Sequence, residues 1–74
     1  MTLDRVKVGQ SVVIDTFLNP ESSAEAIRLG LVPGHRLTVV HKLSGGPVVV
    51  RTAVTEIAVG HTLARQIDVR PANP

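Results

Sequence analysis

The run Leu29-Gly30-Leu31-Val32-Pro33-Gly34 constrains the fold of this chain more than any other stretch. A helix ends at little steric cost where a glycine takes a left-handed conformation, because glycine has no Cβ to clash. Proline followed by glycine is typical of a type II turn, in which proline presets φ and the next residue needs a positive φ. The run therefore predicts a helix that ends at Gly30, a turn at Pro33 and Gly34, and then a strand.

The size and composition of the chain favour one small β domain. With 74 residues, the chain can bury only a thin core. It contains no cysteine, which excludes disulfides and thiolate zinc sites. Phe17 is the single residue among Phe, Trp and Tyr, and the valine-rich apolar content is typical of strands. We expect residues 1–74 to form one domain with an ordered core over about residues 3–70.

Apolar spacing and turn residues predict the order of the elements. Ser22 and Glu25 match a capping box, so a short helix is expected near residues 22–29. Leu63 and Ile67 have helical spacing, which predicts a helical turn near residues 61–67. Strands are expected over residues 11–17, 36–43, 48–51, 54–59 and 68–70, with structural turn residues Gly30, Pro33, Gly34, Gly46 and Pro47. Short strands with hairpin-length links predict a small, bent antiparallel barrel.

Charge and hydropathy weigh against several partner classes. Eight basic and six acidic residues are interspersed, with a formal net charge of +2 and no basic run that would attract nucleic acid or lipid. The aromatic platform that stacks single-stranded nucleic acid is also missing. No secretory h-region and no apolar stretch of ~20 residues is present, so we expect a cytoplasmic protein without membrane insertion.

The residues that carry chemistry do not form a recognisable site. His35 and His41 lie six residues apart on one predicted strand, which separates them by ~20 Å, and His61 belongs to another element. The acidic residues of interest are spread over unrelated elements: Asp15, Glu21, Glu25 and Glu56. No nucleophile stands beside a base, so we expect a non-enzymatic protein with no metal and no cofactor site.

Two surfaces are candidates for partner binding. Strand side chains alternate, so the valines between the inward-facing residues point outward. Either the helix or the N-terminal arm covers these valines, or they form one apolar patch for a partner. The candidate partner-binding residues are Val13, Val40 and Val49 on the strands, and Arg28, Leu31 and Val32 at the helix end.

From Leu3 to Arg70, the ordered set of motifs resembles the ferrous-iron transport protein A (FeoA) family. The matching elements are Gly9, Arg28–Gly34, Leu37 with Val39, Gly46-Pro47, Ile57-Ala58-Val59 and Ile67-Asp68-Val69. The resemblance implies an SH3-like barrel that acts as a cytoplasmic accessory in ferrous-iron uptake and docks on the permease FeoB. The chain departs from the family at Thr52-Ala53, where members often carry glycine, and at Gly60-His61, where they often carry arginine.

Two other functions stay open at this point. Similar barrels form the C-terminal domain of metal-dependent repressors of the DtxR type, so the chain is alternatively a regulatory or interaction module of such a system. DNA-binding helices are not recognisable in the sequence, which weighs against that role. A small nucleic-acid-binding barrel is the third class.

Overall fold

The computed structural model describes residues 1–72, which form a five-stranded antiparallel sheet with two α-helices and a short 3-10 helix over Leu3–Arg5. The elements are β1 (Ser11–Phe17), α1 (Pro20–Arg28), β2 (Arg36–Lys42), β3 (Val48–Arg51), β4 (Glu56–Val59), α2 (His61–Ala64) and β5 (Ile67–Pro71). The strand order in the sheet is β4-β3-β2-β1-β5. The predicted mainly β architecture with one short helix is confirmed. None of the helices described here is a candidate membrane span.

The core lies on one face of the sheet, and alternate strand residues supply most of it. The buried strand residues are Val12 and Ile14 in β1, Leu37 and Val39 in β2, Val48 and Val50 in β3, Val59 in β4, and Ile67 and Val69 in β5. Leu3, Val6, Ala26, Leu31, Leu63 and Ala64 complete it from outside the strands. This period of two agrees with the predicted facing of the strands.

Helix α1 begins two residues earlier than the capping box predicts. Asn19 is the N-cap, and its side-chain oxygen accepts a hydrogen bond from the Ser22 N–H at 2.8 Å. Pro20 occupies the first helical turn, where its missing N–H has no cost because that donor would have no helical partner. Asn19 and Pro20 therefore mark the start of the helix.

The end of α1 has the predicted geometry. Gly30 has φ 92° and donates its N–H to the Ile27 carbonyl at 2.9 Å, while the Leu31 N–H bonds to the Ala26 carbonyl at 2.9 Å. These two bonds form a Schellman motif, which satisfies carbonyls that the helix leaves free. In the following turn, Gly34 has φ 88°, as predicted for its place after Pro33.

The two hairpin turns are short and internally bonded. Gly46 donates its N–H to the Leu43 carbonyl at 2.9 Å, and the Leu43 N–H bonds to the Pro47 carbonyl at 3.3 Å. The Thr52 N–H donates to the Thr55 carbonyl at 2.8 Å. Strand β4 therefore begins at Glu56 instead of the predicted residue 54, because residues 52–55 are occupied by the turn.

The C-terminal boundaries differ from the predictions by a few residues. Helix α2 ends at Ala64 instead of residue 67, since Ile67 already belongs to β5. Strand β5 continues to Pro71, and the Ala72 N–H bonds to the Ser11 carbonyl at 3.1 Å. The strand predicted over residues 68–70 is therefore one residue longer at each end, and residues 73–74 lie outside the described residues.

The N-terminal segment joins the outer edge of β5. The Val69 N–H donates to the Met1 carbonyl at 2.7 Å, and Thr2 forms an isolated antiparallel bridge with Asp68. The Met1 ammonium lies 3.2 Å from the Asp68 carboxylate. These contacts cover part of one edge of the sheet, whereas β4 forms the other edge.

Candidate partner-binding surface

Val13 lies between two arginines on the outer face of the sheet. It is paired with Arg36 of β2 on one side and with Arg70 of β5 on the other. Val13 is half-buried, and both arginines are exposed. Because residues in register share a face, the three side chains form one row that points away from the core.

A β-bulge in β2 places Val40 beside Val49. Val39 pairs with Val50, but the next pair joins His41 to Val49, so Val40 is the extra residue of the bulge. Val49 in turn pairs with Ala58 of β4. Val40 and Val49 are half-buried and Ala58 is exposed. We call Val40, Val49 and Ala58 the valine patch.

A polar row separates Val13 from the valine patch. The Ser11 and Thr38 hydroxyl oxygens lie 2.7 Å apart, and Thr38 is in register with Arg51 of β3. Arg51 donates two hydrogen bonds to one carboxylate oxygen of Glu56, at 3.1 and 2.9 Å. The registers therefore do not join the three outward valines into the single apolar patch that was one of the two alternatives. Turns and bulges fix the register of paired strands, and the register decides which side chains lie between Val13 and the valine patch.

The helix end exposes only part of the predicted set. Arg28 is exposed and Val32 is half-buried. Leu31 is only 1% exposed and belongs to the core, so its prediction as a surface contact is corrected. The Schellman bond to Ala26 folds the chain back over the helix end, which turns the Leu31 side chain inward.

Beside this helix end lies a groove of about 390 Å³, which we call the helix-end groove. Its lining residues are Gly30, Gly34, His35, Arg36, Thr52, Ala53 and Val54. The groove lies between the turn before β2 and the turn between β3 and β4. Sequence reasoning identified Gly30 and Gly34 only as turn residues. It considered His35 only as a metal ligand and Thr52-Ala53 only as a departure from the family, so it missed the groove.

Both walls of the helix-end groove are held by hydrogen bonds. The Gly34 N–H donates to the Ile14 carbonyl at 2.8 Å, and the Ile14 N–H donates to the His35 carbonyl at 3.0 Å. On the other wall, the Thr52 hydroxyl oxygen accepts the N–H groups of Val54 and Thr55 at 3.3 and 3.2 Å. Val54 is 90% exposed at the tip of this turn. Sequence reasoning placed Val54 at the start of the predicted strand over residues 54–59, so its exposure in a turn was missed.

A second groove, of about 410 Å³, lies between α1 and α2 and is lined by acidic side chains, unlike the helix-end groove. Glu21 and Glu25 line it from α1, and His61 lines it from the start of α2. The Asn19 side-chain amide donates to the Gln66 side-chain oxygen at 3.0 Å across it. Within residues 1–72, no three histidine or acidic side chains are grouped closely enough to hold a metal ion.

Comparison with solved structures places this fold among FeoA proteins. A crystal structure of an iron uptake regulatory protein (FeoA) superposes with a TM-score of 0.88 at 22% identity, covering 97% of each chain. FeoA of Stenotrophomonas maltophilia in complex with zinc has a TM-score of 0.78 at 25% identity, covering 95% of this chain and 89% of that one. It is described as a prokaryotic SH3 domain protein, which confirms the SH3-like prediction.

A manganese-dependent transcriptional repressor shares the same fold at lower identity. It superposes with a TM-score of 0.85 at 17% identity, and the match covers 97% of this chain but 41% of the repressor. At this identity the likeness shows the fold alone. A search of curated proteins found no match.

The family assignment rests on the sequence as well as on the fold. The FeoA domain family model matches residues 1–71, nearly the whole chain. The motifs that carry the resemblance occupy the positions that shape the fold: the helix end at Gly30, the turn at Gly34 and strand β4. The chain therefore belongs to the FeoA domain family.

Proposed function

We propose that this protein is a non-enzymatic accessory of ferrous-iron uptake that acts in the cytoplasm by docking on the cytoplasmic part of a FeoB-type permease. Its membership of the FeoA family supports the accessory role in iron transport. The related S. maltophilia protein is described with a suggested role as a ferrous iron transport activating factor. The cytoplasmic location rests on the family resemblance, and docking rests on that resemblance and on the valine patch.

The observation that carries the docking proposal is the valine patch. Val40, Val49 and Ala58 are neighbours on three adjacent strands, yet they lie on the face opposite the core. Contiguous apolar surface on a small domain is typical of protein-binding sites, since burying it in a complex removes it from water. His41 and the Arg51–Glu56 ion pair border the patch and supply a polar rim.

Val13 on β1 is a second area of the outer face, and the remaining candidates, Arg28 and Val32, lie at the helix end. Val13 is flanked by arginines and is separated from the valine patch by the Ser11–Thr38 row. A partner that covers both areas must span this polar row. The two areas can therefore be tested separately.

The test is binding of Val49→Asp and Val40→Asp variants to the purified cytoplasmic domain of a FeoB-type permease, measured by calorimetry. A carboxylate placed in a complex interface without a partner should weaken binding by ~2 kcal/mol or more, which is about 30-fold. Leu18→Asp is the matched control, because Leu18 is also apolar and 54% exposed but lies beyond the far end of β1.

The valines of the patch are half-buried, so an aspartate there also affects folding. Val49→Thr serves as the milder variant, since threonine keeps the β-branching of valine and replaces one methyl group by an uncharged hydroxyl. A folded Val49→Thr protein should bind less tightly than the wild type and Leu18→Asp should bind normally. Wild-type affinity in every patch variant that folds would exclude the valine patch as the interface.

A further inference from the structure

We infer that the helix-end groove binds an extended acidic protein segment that carries an apolar side chain, with Arg36 receiving a carboxylate of that segment. The inference names the partner chemistry for a site that is separate from the valine patch. It depends on the proposed function only for the identity of the protein that supplies the segment.

The groove has the shape for an extended chain. Gly30, Gly34 and Ala53 present little or no side chain, so a bound backbone can approach closely. A Cβ built on Gly30 or Gly34 meets no atom within 4 Å, which shows that the space above both glycines is open. Both walls are tied by backbone hydrogen bonds, so the groove is formed before a ligand arrives.

Val54 supplies the apolar contact. It is the most exposed of the large hydrophobic residues among residues 1–72, at 90%, and it is held at the rim by the Thr52 hydroxyl. Nothing in the fold requires an apolar residue at this turn tip. A bound segment with an apolar side chain would remove Val54 from water, and this is the contribution that Val54 can make.

The charge of the groove selects the partner. Arg36 and His35 line it, and no acidic side chain does. Arg36 makes no ion pair with residues 1–72, in contrast to Arg51, which lies 2.9 Å from Glu56. Arg70 lies on the same face beyond Val13, about 10 Å away across two strand spacings. An exposed guanidinium without a partner can bind a carboxylate with two parallel hydrogen bonds.

A protein segment fits these features better than a nucleic acid does. Single-stranded nucleic acid binds mainly by phosphate contacts and by stacking on aromatic rings. The chain has one such ring, Phe17, which packs against the core and does not line the groove. Binding that depended on charge alone would use the arginines of the whole surface and would not need Val54.

The experiment follows amide resonances of the full chain during titration with a peptide probe. The probe is acetyl-Gly-Ser-Glu-Leu-Ser-Glu-Gly-Ser-amide, with a lysine-for-glutamate peptide and a ten-nucleotide single-stranded DNA as comparison ligands. We expect the acidic probe to shift the amides of Gly34, Ala53 and Val54 in a saturable and salt-weakened manner. Shifts confined to other residues, or none at millimolar probe, would overturn the inference, as would stronger binding of the DNA.

Variants separate the two contacts. Arg36→Ala should weaken probe binding about tenfold, because it removes a charge-assisted hydrogen-bonding group. Val54→Ser should weaken it severalfold without a change in thermal midpoint, since Val54 is 90% exposed. Arg65→Ala is the matched control, because Arg65 is also exposed but caps α2 away from the groove. Equal binding by Arg36→Ala and the wild type would refute the assigned role of Arg36.

The same variants keep this inference distinct from the proposed function. If Arg36→Ala and Val54→Ser lose the probe while the wild type does not bind a permease domain, the groove assignment stands and the permease is the wrong partner. If the permease domain binds wild type and both groove variants equally, and the probe does not bind, docking stands and the groove assignment fails.

Discussion

Replacing Gly30 by alanine tests whether the helix end is set by backbone conformation alone. Gly30 has φ 92°, and a Cβ added there meets nothing within 4 Å, so no steric collision with the rest of the protein contributes. A non-glycine residue in the left-handed region costs roughly 1–2 kcal/mol. Alanine also restricts the unfolded chain, which offsets roughly 0.4–1 kcal/mol of that cost. We expect a net loss of about 1 kcal/mol in the free energy of unfolding.

Gly60→Ala is the matched control for this prediction. Gly60 also has open space around an added Cβ, but its φ is −58°, which alanine adopts without strain. As the N-cap of α2, alanine costs roughly 0.5–1 kcal/mol relative to glycine. The restricted unfolded chain offsets roughly 0.4–1 kcal/mol, which is about the same amount. Gly60→Ala should therefore leave the stability nearly unchanged, while Gly30→Asn should lose less than Gly30→Ala because asparagine tolerates the left-handed region.

Urea unfolding followed by far-ultraviolet circular dichroism measures these differences, since the chain has no tryptophan or tyrosine to report by fluorescence. A loss of about 1 kcal/mol corresponds to a decrease of roughly 4–8 °C in thermal midpoint for a domain of this size. Wild-type stability of Gly30→Ala would refute the reasoning. An equal loss in Gly60→Ala would also refute it, because the sign of φ would then not be the cause.

Two further predictions follow from hydrogen bonds at the helix start and at the sheet edge. Asn19→Ala should cost ~1 kcal/mol of stability through loss of the N-cap, whereas Glu25→Ala should cost much less; the reverse order in urea unfolding would restore the capping box. The Thr52 N–H bonds to the Thr55 carbonyl, and hydrogen-bonded pairs alternate along an antiparallel hairpin. The amides of Ile57 and Val59 therefore point toward β3, and the amides of Glu56 and Ala58 point away from it. Hydrogen exchange should therefore be about tenfold slower or more at Ile57 and Val59, and equal protection of all four would show that β4 is covered.

Local signals in the sequence predicted most of the fold. The left-handed conformations at Gly30 and Gly34 and the boundaries of β1 and β3 follow from the chemistry of neighbouring residues, so one sequence is enough to find them. The predicted start of α1 was wrong because two signals for a helix N-terminus overlap in the sequence. Asn19-Pro20 competes with Ser22-Ser23-Ala24-Glu25, and proline at the first helical turn stabilises the earlier start.

The candidate surfaces were predictable only in part. Alternation along a strand indicated that Val13, Val40 and Val49 point away from the core, because that follows from backbone geometry. Their division into two areas depends on the β2 bulge and on the registers of β1, β2 and β3. Register is a property of paired strands, and a single sequence does not display it.

The sequence by itself therefore determined most of the turns, the alternation along the strands, and the family to which the chain belongs. Only the tertiary structure decided that Leu31 is a core residue and that Val54 and Arg36 border one groove. The reason is physical: turn chemistry acts within a few residues, whereas the groove joins segments that start at Gly30 and at Thr52, which meet only when β1, β2 and β3 pair.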